Sequence, residues 1–152
     1  MNVPKRWSPV IGLIALLLPS GLASQTPEPA VHAVLFYSPT CPHCHQVITE
    51  HLIPLQNQYG SRLVLLGMDT SQPWASNLYW EAIRHFELPQ EDWAVPLLIV
   101  GDEVLVGGFE IPNRFPEILE RGLEGEGIDL PDFPAMVSFL REQDMLDPRY
   151  PD

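Results

Sequence analysis

At 152 residues the chain has room for one domain with short appendages, and its apolar fraction of 45% excludes wholesale disorder. Eight Lys and Arg stand against 20 Asp and Glu, a formal charge of −12. That balance excludes nucleic-acid binding by counterion release, which needs clustered cations, and favours a solvated acidic surface.

Residues 1–23 read as a secretory signal peptide. Lys5 and Arg6 form a positive start, Val10 to Leu18 is an apolar run, and Gly21 and Ala23 are the small residues before a cut after Ala23. The apolar stretch from Trp7 to Leu22 has 16 residues, short of the roughly 20 that cross a bilayer. Cleavage is therefore expected, with an uncleaved anchor as the alternative, and the expected location is periplasmic or otherwise extracytoplasmic. Residues 24–30 read as a linker.

Val31 to Tyr37 is a β-branched and aromatic run closed by Ser38-Pro39, which predicts a buried strand. After it, Val47, Ile48, Leu52, Ile53 and Leu55 recur at helical spacing, and Pro54 is expected to kink or end that helix. Arg62 to Met68 predicts a second strand. Ser71-Gln72-Pro73 marks the next helix start, with Asn77 as an alternative cap and Leu78, Tyr79, Ala82, Ile83 and Phe86 as the apolar stripe. Val95-Pro96 introduces a strand over Leu97 to Val100. Gly101-Asp102 is a two-residue turn, Glu103 to Val106 pairs back, and Gly107-Gly108 ends the hairpin. Pro112 is expected near the start of a last helix carrying Phe115, Ile118 and Leu119 and stopping around Gly122 to Gly127. The order β-α-β-α-β-β-α predicts an α/β fold with a mixed sheet of about four strands over residues 31–124. Residues 125–152 read as an acidic, Pro-rich tail whose apolar patch (Phe133, Met136, Val137, Phe139, Leu140) lies against the domain, or else docks a partner.

The chemistry lies in Thr40-Cys41-Pro42-His43-Cys44-His45. Two cysteines two residues apart close too small a loop to staple a domain usefully. At a strand-to-helix junction, however, the helix N-terminus favours a thiolate on Cys41. Pro42 suits the first helical turn, where its missing N–H would have had no partner. Cys44, one turn further in, is placed to attack a mixed disulfide formed at Cys41. His43 between them can donate a hydrogen bond or positive charge to the thiolate, which stabilises the reduced form and makes the disulfide a stronger oxidant.

With these residues in view, the chain resembles the thioredoxin superfamily over about residues 31–124, from the strand and C-x-x-C motif to the Val-Pro-hairpin. The resemblance implies a thioredoxin-like fold and a redox-active disulfide between Cys41 and Cys44, with no cofactor. It further implies a cis-proline at Pro96, and a substrate chain added as a strand along the backbone of Val95 and Pro96, with Trp93 edging the groove. The Pro42-His43 dipeptide is the one found in DsbA-like oxidases, which points toward the oxidising end. Two departures count against a full match: the chain lacks room for the helical domain those oxidases insert, and Leu35 stands where thioredoxins carry a buried acid. The nearer likeness is to small exported bacterial thioredoxin-like proteins. It implies protein or peptide thiols and disulfides as substrates, and a membrane quinone reductase of the vitamin K epoxide reductase type as a recycling partner.

Two other readings fit the same motif. Cys41-Pro42-His43-Cys44-His45 matches the C-x-x-C-H attachment signature of c-type haem, with Met68, Met136 or Met145 as an axial ligand. Context disfavours it, because the motif opens a helix directly after a buried strand. Cys41, Cys44 and His45, with His43 or His51, could also bind zinc or copper, although no second cysteine pair completes a usual structural site. A Cys–His hydrolase is set aside for want of a third, orienting group.

Overall fold

The computed structural model describes residues 28–143. The expected signal peptide, most of the linker and the last nine residues of the tail, Met145 among them, lie outside the described residues. Strand β1 (Val31–Tyr37) leads into helix α1 (Pro42–Val47), a π turn (Ile48–Leu52) and helix α2 (Ile53–Tyr59). Strand β2 (Leu63–Asp69), helix α3 (Pro73–His85), strands β3 (Leu97–Val100) and β4 (Glu103–Val106), and helices α4 (Gly107–Glu124) and α5 (Pro134–Glu142) follow. The strand order is β2-β1-β3-β4. β1 and β2 are parallel, joined by the α1–α2 crossover, whereas β3 runs antiparallel to both β1 and β4. This mixed four-stranded sheet with helices on both faces is an α/β, thioredoxin-like fold.

The alternation of β1 divides the interior in two. Ala33 and Leu35 face a cluster closed by Val47 of α1, Leu52 of the π turn, and Phe115 and Leu119 of α4. Val34 and Phe36 face the opposite cluster, with Leu78, Tyr79 and Ile83 of α3. This second cluster also holds Phe133, Met136 and Leu140, so the segment around α5, apolar in an otherwise acidic stretch, is buried against the sheet. Ile128 forms a parallel bridge with Val31, and His32 N donates to Ile128 O at 2.8 Å.

Two helices depart from their expected course. Pro54 does not end the helical run, which continues through α2 to Tyr59. The π turn just before it shifts the pattern to i→i+5, with Ile53 N donating to Ile48 O, and the wider turn absorbs the proline. The last long helix begins at Gly107, five residues before Pro112, and contains both Pro112 and Pro116. Its start is fixed by Glu110, whose carboxylate accepts the Val106 N–H at 2.9 Å in the manner of a capping box. Gly107 makes the entry turn at φ +83°, a conformation that only glycine takes cheaply. Asn113 Nδ2 donates to Phe109 O at 2.7 Å, supplying that first-turn carbonyl with a partner next to the proline.

Candidate active site

The site lies where β1 ends and α1 begins. Cys41 is the N-cap of α1, with extended backbone (φ −87°, ψ 115°), and its Sγ accepts a hydrogen bond from Cys44 N at 3.2 Å. A cap position normally held by Ser, Thr, Asp or Asn is thus filled by sulfur, which receives one of the unsatisfied N–H groups of the first turn. Pro42 occupies the first helical position. Cys41 is half-exposed, whereas Cys44 is 1% exposed; both are free thiols.

Burial pushes the Cys44 thiol up from its ordinary 9.0 to about 12, and a hydrogen bond with Cys41 adds to the rise. Leu35 and Val47 lie in the apolar cluster on this side of the sheet, and among the described residues no buried side chain is polar or charged. Leu35 is itself 5% exposed. The position at which thioredoxins bury an acid therefore supplies no proton acceptor here.

Opposite the cysteines stands the loop before β3. The Val95–Pro96 peptide bond is cis. The Cys41 thiol donates to Val95 O at 3.6 Å, and Pro96 O accepts from Gly107 N at 2.7 Å, which ties this loop to the start of α4. His43 is exposed and makes no hydrogen bond to Cys41 among the described residues. Its side chain lies against Gly108, where an added methyl group would be 3.7 Å from His43 Cβ. Trp93 lines a cleft of about 360 Å³ beside Val95, together with Thr70, Ser76, Tyr79, Trp80 and Ala94.

The structure thus brings Cys41, Cys44 and Val95 into direct contact, with His43 alongside. Trp80 was not singled out from the sequence, yet it stands edge-to-face with Trp93, ring centroids 5.5 Å apart. Its helical spacing put it on the polar side of α3, and only the packing of the Trp93 loop reveals its role in the cleft wall.

The two rival readings lean on His45 and, for haem, on a methionine ligand. His45 is exposed, and Met68 and Met136 are buried in the cluster around α3 and α5. Among the described residues no three His, Cys, Asp or Glu side chains are grouped to hold a metal ion, and no helix is long and apolar enough to cross a membrane.

No family model and no curated protein matches the chain. Among solved structures, that of a malarial protein is 22% identical over 62% of this chain and 98% of its own, with a TM-score of 0.43. Thioredoxin O2 from Arabidopsis thaliana, in its oxidised state, is 20% identical over 60% of this chain and 74% of its own, with a TM-score of 0.43.

Proposed function

We propose that the protein is an exported thiol–disulfide oxidoreductase working through Cys41 and Cys44. The observation that carries this reading is the asymmetry of the pair. Cys41 is reachable from solvent at a helix N-terminus, and its sulfur already accepts the Cys44 N–H. Cys44 is enclosed one turn below. The first arrangement suits a sulfur open to a substrate, and the second suits a thiol that only an attached substrate brings into play.

In the oxidising direction a substrate thiolate attacks Cys41 Sγ of the Cys41–Cys44 disulfide. The S–S bond breaks and its electron pair leaves on Cys44. A second substrate thiolate then attacks the substrate sulfur of the mixed disulfide and releases Cys41. The substrate loses two electrons and the protein gains them. In reverse, Cys41 attacks a substrate disulfide and Cys44 displaces the bound substrate chain. That last step needs the Cys44 proton removed, and with no buried acid beside it the acceptor is solvent or the departing substrate. The Val95 carbonyl faces Cys41, and the backbone N–H of Val95 donates to nothing among the described residues. Both groups suit an extended substrate segment laid along the loop. The Pro42-His43 dipeptide between the cysteines is the one found in DsbA-like oxidases, and this supports the oxidising end. A membrane quinone reductase would then return the pair to the disulfide.

Replacing Cys44 with Ala is expected to trap a covalent complex through Cys41, visible by mass spectrometry and lost on reduction. Cys41→Ser removes it. Equilibration with glutathione fixes direction: a potential near ~−120 mV means an oxidase, one near ~−270 mV a reductase. A pair that neither traps a substrate nor titrates as a couple would end this reading.

A further inference from the structure

We propose that the cleft walled by Trp80, Trp93 and Val95 selects substrate polypeptides carrying an apolar residue and a Lys or Arg beside the reacting cysteine. The inference rests on the redox reading of Cys41 and Cys44, and adds what the substrate looks like.

The cleft is continuous with the site through Val95, whose carbonyl meets the Cys41 thiol. Its walls are rigid. The Trp93 indole N–H donates to Leu88 O at 2.9 Å, Trp80 packs edge-to-face on both Trp93 and Tyr79, and Tyr79 packs on Phe36 of β1. Even so, Trp80 is 41% and Trp93 45% exposed. Two large aromatic rings held in place yet left in solvent form a ready platform for an apolar side chain or a cation. Trp74, on the first turn of the same helix, differs in being stacked against Phe139.

Charge decides what else the partner carries. The two segments that line the cleft, residues 69–80 and 86–96, contain Asp69, Glu87, Glu91 and Asp92 and neither Lys nor Arg. Hydrogen bonds from the Ser71 side chain and backbone hold the Asp69 carboxyl below the usual range, so it stays ionised. Of the five described arginines, four are paired with carboxylates, Arg62 with Glu28, Arg84 with Glu81, Arg114 with Glu103 and Glu110, and Arg121 with Glu103, and the fifth, Arg141, is on α5, outside both segments. Residues 28–143 include no lysine. An acidic substrate segment meets repulsion at this wall, and a basic one meets attraction and a cation–π partner.

The test uses the reduced full chain and peptides of one length, each holding a single cysteine as its mixed disulfide with thionitrobenzoate. Cys41 thiolate attacks the peptide sulfur, the old S–S bond breaks, and the coloured thionitrobenzoate thiolate leaves. Cys44 then displaces the peptide thiolate, leaving the Cys41–Cys44 disulfide. A peptide with Leu and Arg flanking cysteine is expected to react about tenfold faster than its Leu and Glu counterpart at low salt, the ratio shrinking to about twofold near 0.5 M salt. Replacing Leu with Ser is expected to slow the Arg peptide several-fold at either salt. In a Glu91→Gln, Asp92→Asn variant the Arg-to-Glu ratio is expected to fall by about half or more.

Equal rates for the Arg and Glu peptides, with neutral hydroxyethyl disulfide still reacting, would overturn the cleft assignment and leave the redox reading standing. So would an Arg preference untouched by both salt and the rim variant. No reaction with any disulfide, the thiols being free by titration, would overturn the redox reading and this inference with it.

Discussion

The two faces of the sheet are closed in different ways. On the first, the helices come from segments that adjoin the strands: α1 and α2 cross from β1 to β2, and α4 leaves β4 directly. The second face receives only α3 as a crossover. The remaining surface around Val34, Phe36, Leu97 and Ile99 is closed by Phe133, Met136 and Leu140, supplied about thirty residues after β4. The comparison teaches that the face holding the cysteine pair is closed by helices that adjoin the strands in sequence, whereas the face carrying the aromatic cleft depends on a late, distant segment for its completion.

Stability measurements can break or sharpen that contrast. The largest effect is expected from Phe133→Ala: the ring is fully buried, and its removal should cost about 3–5 kcal/mol in denaturant unfolding. A cost below about 1 kcal/mol would mean that α5 merely rests on the sheet, and the contrast would fail. On the other face Leu119→Ala, equally buried, is expected to cost about 2–5 kcal/mol. If the proposed redox site depends on the first face alone, Phe133→Ala keeps the Cys41–Cys44 potential while Leu119→Ala shifts it, because α4 holds the Pro96 loop through Gly107 N.

A smaller effect belongs to the cysteine pair. The folded dithiol holds the Cys44 proton up to about 12, against 9.0 for an ordinary thiol. Between those values the unfolded chain binds fewer protons than the folded one. The stability from this group is therefore full below pH 9 and is lost as pH rises toward 12. Unfolding of the reduced protein should show that decline, and Cys44→Ala should lack it. The smallest effect is expected at the surface: Arg121→Ala breaks the 2.7 Å pair with Glu103, both partners being solvent-exposed in good part, and should cost less than about 1 kcal/mol, shrinking further with salt.

Much of this architecture was legible in order. The extent of β1 and of the β3–β4 hairpin, the Cys41 helix start and the mixed sheet follow from β-branched runs, a Gly-Asp turn and a proline in the first helical turn, which are all local signals. The two helix errors share a cause. Pro54 reads as a breaker and Pro112 as a helix start, but a π turn and a carboxylate cap let the chain carry both inside helices. Such compensation depends on backbone geometry that residue type does not display.

What the sequence by itself determined is the chemistry: two thiols one helical turn apart, a histidine between them, and an acidic chain. Only the tertiary structure decided how the thiols differ. Burial is a property of packing, and with α1 laid against α4 on the first face Cys44 is out of water while Cys41 stays at the surface. The aromatic cleft has the same origin, since Trp80 and Trp93 are thirteen residues apart and become one wall only where the loop before β3 folds back on α3.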